Sequence, residues 1–123
     1  MPVVPQKPRP LEIRYNKDER VLEIDFDDGQ QFAYTVEFLR VESPSAEVQG
    51  HSPSDKKIVG GKRFVGINAI EPVGHYAIRI RFDDGHETGI YSWETLYDYG
   101  TRQGEIWERY LRAVAEKGIS RDL

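Results

Sequence analysis

Leu22, Ile24 and Phe26 alternate with Glu23, Asp25 and Asp27, and the same alternation returns at Ile78, Ile80 and Phe82 among Arg79, Arg81 and Asp83. An apolar residue at every second position predicts a strand with one buried face. Each run closes on Phe-Asp-Asp-Gly, at Phe26–Gly29 and Phe82–Gly85. Asp-Gly after such a run predicts a tight reversal, because Gly accepts positive φ at little cost. Return strands are expected over 30–34 and 86–91. Beyond them Thr35 aligns with Ser92, Glu37 with Glu94 and Leu39 with Leu96. A hydroxyl that accepts from a free amide, followed by an acid in the first turn, predicts two short capped helices.

Upstream, Leu11, Ile13 and Tyr15 alternate before Asn16-Lys17-Asp18, and Ile67–Glu71 precedes Pro72-Val73-Gly74. The chain therefore carries an internal repeat, 11–40 and 67–97, each copy running strand, turn, strand, Asp-Gly turn, strand, helix. The expected fold is α+β: antiparallel sheets built from two repeated units, with helices closing one side or the ends. A duplicated folding unit explains the repeat; the alternative is a matched pair of ligand sites at the Asp-Asp-Gly turns, although turns favour Asp and Gly on their own account.

Ile106, Tyr110 and Val114 form a stripe beside Trp107, Leu111 and Ala115, which predicts a C-terminal amphipathic helix. Glu105 with Arg109 and Glu108 with Arg112 would pair on its outer face, and Gly118 would stop it. Trp107 and Tyr110 are expected to dock this helix on the sheet, with a partner-binding groove filler as the alternative.

Residues 1–10, with Pro2, Pro5, Pro8 and Pro10, read as an extended arm; 11–118 as one domain; and 119–123 as a tail. Between the repeats, 43–66 is rich in Pro, Gly and Ser and reads as a long loop, the kind of segment that often carries function. Its Lys56, Lys57, Lys62 and Arg63 are expected to be solvated.

At 123 residues the chain fits a single domain, and it contains no Cys, which excludes disulfides, thiolate catalysis and Cys-ligated metal or iron–sulfur sites within it. No apolar run approaches the ~20 residues a bilayer span requires, and the N-terminus lacks a signal-peptide pattern, so a cytoplasmic protein without a membrane role is expected. A formal charge of −4 disfavours a nucleic-acid binder.

No catalytic motif is present: the chain lacks His-Glu-x-x-His, a P-loop, Gly-x-Ser-x-Gly and the His-x-Asp of iron oxygenases. The three histidines are His51, His75 and His86. His75 falls in a predicted turn. His86 follows the second Asp-Asp-Gly, where Glu47 and His51 of the long loop are candidates to join it as a Zn²⁺ or iron site; a hydrogen-bonded structural role is the other reading. Ser43 and Ser45 have no adjacent base and read as capping residues.

The segment Leu39-Arg40-Val41-Glu42-Ser43-Pro44-Ser45-Ala46-Glu47-Val48, with Phe82–His86 and Tyr91-Ser92-Trp93, resembles small bacterial proteins of uncharacterised function that are similar to the N-terminal domain of gamma-butyrobetaine dioxygenase. The resemblance spans about 11–99. In the dioxygenase the first stretch is Leu-Arg-x-x-Cys-Pro-Cys-x-x-Cys, and its three Cys bind zinc with a later His. Those positions fall here on Ser43, Ser45, Val48 and His86, so the resemblance implies the fold and a degenerate zinc site. It does not carry the dioxygenase activity, which belongs to a separate downstream domain. Related domains attached to iron–sulfur carrier ATPases of the Mrp type point the same way, towards an accessory module.

The expected function is a non-catalytic accessory or interaction domain without a cofactor. It would bind a protein partner or small ligand through Ser43, Ser45, Glu47, His51, His86 and Trp93. Oligomeric state is left open. The alternative is a metal-binding protein with a rebuilt zinc or iron site.

Overall fold

The computed structural model, which describes residues 7–122, turns the two alternating runs into the centres of two antiparallel three-stranded sheets. The first sheet is β1 (Pro10–Asn16), β2 (Val21–Phe26) and β3 (Gln31–Thr35), in that order, and leads into helix α1 (Val36–Val41). A short α2 (Ala46–Gln49) and a 3₁₀ turn at Pro53–Asp55 follow. The second sheet is β4 (Ile67–Val73), β5 (Ala77–Phe82) and β6 (Gly89–Ser92), and α3 (Trp93–Thr101) and α4 (Gln103–Lys117) complete the chain. The α+β class and the repeat are as the pattern predicts. No helix among the described residues is long and apolar enough to cross a membrane.

Leu22, Ile24 and Phe26 meet Ile78, Ile80 and Phe82 in one shared core, while the outer faces carry charge ladders. Arg14 donates to Glu23 and Asp25, and Glu71 accepts from Arg79 and Arg81. Each buried aliphatic or aromatic side chain of this kind contributes about 1.5–3 kcal/mol. The reversals use Gly29 and Gly85 at φ 90° and 91°, values that exclude a comfortable Cβ. In each turn the second Asp accepts an amide two residues on: Gln30 to Asp28 at 3.0 Å and His86 to Asp84 at 3.1 Å. Thr35 and Ser92 cap α1 and α3 by accepting from Phe38 and Thr95.

Two expected boundaries shift. The second return strand begins at Gly89 rather than at 86, because His86 is turned into the protein. Pro72 lies inside β4 rather than in a turn; β4 pairs only with β5, so its missing N–H costs no ladder bond on the open side.

The repeats are tied together by a reciprocal exchange. Tyr34 donates its hydroxyl to the Leu96 carbonyl of α3, and Tyr91 donates to the Leu39 carbonyl of α1. Both rings are wholly buried, and burial pushes both phenols above their ordinary range. A second exchange runs parallel: Asp28 accepts from Tyr97, and Asp84 accepts from Arg40.

The C-terminal helix docks more broadly than expected. Trp107 packs on Phe38 of α1 and Tyr110 stacks on Trp107, while Tyr110 and Val114 bury against Val41, with Ile58, Val59 and Ile119 beside them. The helix reaches the shared core through Ile106 and β3 through a Gln103 bond to the Ala33 carbonyl, and also covers α1 and the inter-repeat segment. That segment is only partly solvated: residues 51–55, Lys57, Arg63 and Phe64 are exposed, while Ile58 and Val59 lie beneath α4. Tyr110 donates to the Val59 carbonyl, and Lys56, Lys62 and Arg63 pair with Glu42, Asp84 and Asp122. Residues 119–122 fold back along it: Gly61 donates to Ser120, Arg63 to Arg121, and Arg121 grips buried Glu37 at 2.7 and 2.9 Å. Most of the expected arm lies outside the described residues; Pro10 opens β1, the Arg9 amide donates to the Asp27 carboxylate, and the Asp27 amide donates to the Arg9 carbonyl.

Tyr34→Phe and Tyr91→Phe each leave a buried carbonyl without its donor, so each should cost about 1–2 kcal/mol in urea unfolding. Both variants are expected to unfold in one transition. Separate transitions for the two halves would show that the repeats fold independently.

Candidate functional site

α1 ends at Val41, and the chain then runs Glu42-Ser43-Pro44-Ser45 into α2. The turn after β5 brings His86 to meet it. His86 Nε2 lies 2.9 Å from Ser43 Oγ and 3.4 Å from Ser45 Oγ, and the two hydroxyls are 3.3 Å apart. Ser45 holds the N-cap position of α2, yet its hydroxyl makes no cap bond and turns to this cluster instead. On the other side of the ring, His86 Nδ1 lies 3.2 Å from a Glu47 carboxylate oxygen. A carboxylate only accepts, so Nδ1 carries the proton and Nε2 is left to accept from the Ser43 or Ser45 hydroxyl. Burial, and then the nearby Arg40 guanidinium, hold the His86 pKa below its ordinary value, which keeps the ring neutral.

A charged clasp supports the cluster. Asp84 accepts from Arg40 Nε at 2.8 Å and from Lys62 Nζ at 2.5 Å, so one carboxylate joins α1, the inter-repeat segment and the turn that delivers His86. Burial works to raise the Asp84 pKa, but Lys62, the His86 amide and Arg40 outweigh it and hold the group at about 2. Gly89 closes the floor: a Cβ there would sit 2.8 Å from Ser43 Oγ and 3.0 Å from the Tyr91 ring.

The connectivity Ser43–His86–Glu47 is that of a hydrolytic triad, but the exposure is reversed. Ser43 is 0% exposed, whereas the Glu47 side chain is 64% exposed. A nucleophile sealed from solvent, beneath an acid that faces it, meets no substrate unless the fold opens.

The expected site residues thus fall in separate places. Ser43, Ser45, Glu47 and His86 come together. His51 does not join them: Gly50 at φ 69° ends α2 and turns the chain away, leaving His51 exposed in a shallow hollow with Lys56 and Arg109. The proposed Glu47, His51 and His86 ligand set is therefore not assembled, and among the described residues no group of three or more His, Cys, Asp or Glu is placed to hold a metal. Nor do Ser43, Ser45 and His86 fit zinc. Neutral hydroxyls are poor ligands, and Val48, buried on α2, offers none.

Trp93 belongs to a different surface. It opens α3, donates its indole N–H to the His75 carbonyl, and lines an open groove of about 580 Å³ with Leu11, Tyr15, Ile70 and Pro72. Arg40, Lys62 and Asp84, far apart in sequence, carry no motif that marks them as a group. The repeat alignment held the signal, since Asp84 matches Asp28 and Arg40 matches Tyr97, and each pair bonds across the repeats.

The family described as gamma-butyrobetaine hydroxylase-like, N-terminal, matches residues 13–97, and the chain belongs to it. Two structures solved in solution by NMR are similar to it. One shares 47% identity, with a TM-score of 0.81 over 98% of this chain and 91% of its own. The other shares 40%, with a TM-score of 0.80 over 94% and 90%. A crystal structure from Acidithiobacillus ferrooxidans, of unknown function and assigned to the DUF971 family, shares 45% identity, with a TM-score of 0.61 over 72% of this chain and 88% of its own. Among curated proteins none matches.

Replacing Ser43, Ser45 and Val48 together by Cys should create a site that takes one Zn²⁺ per chain with His86, read by metal titration and lost on adding His86→Ala. Failure to bind would show that the backbone no longer holds the family's ligand geometry. The Asp84 clasp predicts acid sensitivity. Because folding lowers its pKa from 3.8 to about 2, its contribution is complete above about pH 4 and is lost as pH falls towards 2. Asp84→Asn should therefore destabilise the protein by about 2 kcal/mol at pH 7 and flatten its stability curve in that acid window.

Proposed function

We propose that this protein is a non-catalytic interaction domain, cytoplasmic and without a resident metal, that docks to a protein partner through the groove beside Trp93. The observation that carries this reading is the contrast between the two places. The Ser43, Ser45 and His86 cluster is closed and its polar atoms are partnered, as in a structural site. The groove is open and mostly apolar, and its aromatic residues have their polar ends engaged within the protein. Nearby, Leu11 is 71% exposed. The inter-repeat segment serves the fold instead, since Ile58 and Val59 lie beneath α4. The charge of −4 favours a protein over a nucleic acid as partner.

A photo-reactive amino acid at position 11 should give a discrete protein adduct in cells, and one at position 51 should give none. The adduct's partner, once purified, should bind the native protein and not Trp93→Ala. Adducts only from position 51 would move the function to the other face. A serine-reactive fluorophosphonate should leave Ser43 and Ser45 unlabelled; stoichiometric labelling of either would contradict a non-catalytic role.

A further inference from the structure

We infer that the groove between β1 and β4 takes an extended, proline-containing peptide segment with basic residues beside its prolines. This rests on the groove being the docking surface, and it adds the chemistry of the occupant.

Both walls are edge strands, because β1 pairs only with β2 and β4 only with β5. Edges of this kind ordinarily invite another strand. Here each is blunted. Pro10 and Pro72 lack the N–H that an added strand would need, and both ladders carry an irregularity near one end, between Pro10 and Glu12 and between Ile67 and Ala69. The groove therefore recognises side chains rather than extending a sheet.

Its contact surface suits proline. Tyr15 accepts from the Ile67 amide at 3.1 Å, which fixes its ring and leaves its O–H free to donate to a peptide carbonyl, and Trp93 already uses its indole N–H. A ligand thus meets flat ring surface and one hydroxyl donor, flanked by Leu11, Ile70 and Pro72. A polyproline II segment matches this: it is preformed, loses little entropy on binding, and stacks its rings on aromatic faces.

The rim selects charge. Glu12 lines the groove, and the single Arg14 guanidinium beside it serves Glu12, Glu23 and Asp25 together, leaving excess negative charge. Glu94 stands next to Trp93, where Lys7 of the protein's own Lys7-Pro8-Arg9-Pro10 run pairs with it. The protein thus already holds one basic, proline-containing stretch along this edge, and Pro10 lines the groove.

The test is an amide and indole NMR titration of the full chain with a synthetic peptide of two Pro-Leu-Pro units followed by two arginines. Saturable shifts are expected at 11–15, 70–72 and the Trp93 indole. Replacing the prolines by alanine, or the arginines by glutamate, should weaken binding about tenfold or more, as should Trp93→Ala. Leu11→Ser, which removes apolar contact at an exposed position without changing charge, should do the same. No saturable shift, or shifts centred elsewhere, would overturn the inference. So would groove shifts that grow with protein concentration alone, which would make a second copy the occupant. A partner captured from position 11 that is displaced by no proline peptide would leave the docking role standing and refute only this chemistry.

Discussion

Everything in this fold depends on an exchange between its two repeats. Tyr34 reaches the carbonyl of Leu96, and Tyr91 reaches that of Leu39, so each half satisfies a helix carbonyl that belongs to the other. Leu39 lies in the last turn of α1, where a carbonyl needs a partner from outside the helix, and a buried phenol needs an acceptor. The Tyr91 bond meets both needs, and the Tyr34 bond meets the second. Neither three-stranded sheet can bury its inner face alone, and the exchange fixes how one sits on the other.

The Asp-Asp-Gly turns extend that logic to charge. Asp28 holds Tyr97 and Asp84 holds Arg40, again across the repeats. The two sites diverged in chemistry while keeping position, and the Arg40 side added Lys62 from the segment between the repeats. That clasp places His86 against Ser43 and Ser45. At the positions where the resemblance implies zinc, this protein has a neutral imidazole accepting from a buried hydroxyl. Hydrogen bonds that cost little to dry out now join the inter-repeat segment to the second sheet.

Much of this was legible in the sequence because local patterns and tertiary needs agree. The alternation at Leu22–Phe26 and Ile78–Phe82, the Gly29 and Gly85 turns and the Thr35 and Ser92 caps all follow from backbone chemistry. The stretch 43–66 is largely irregular, as its Pro, Gly and Ser imply, but that composition says nothing of which of its residues are buried. Gly60 lies there because a side chain would strike Ile119, a contact set by the fold-back of the C-terminus. The C-terminal stripe was right as a helix, but only Ile106 and Trp107 reach the shared core while Tyr110 and Val114 cover Val41, since periodicity names the buried face and not what covers it. Grouping Trp93 with His86 failed for a related reason. Seven positions apart in sequence, they flank β6, one turned into the clasp and the other onto the groove.

If hydrogen bonds among Ser43, Ser45, His86 and Glu47 do the structural work at the positions where the resemblance implies zinc, the protein needs no metal there. Elemental mass spectrometry on protein purified without a histidine tag, with His86→Ala beside it, tests this most directly. The account predicts no stoichiometric metal in either protein. One zinc or iron per chain in the native protein, lost in the variant, would contradict it.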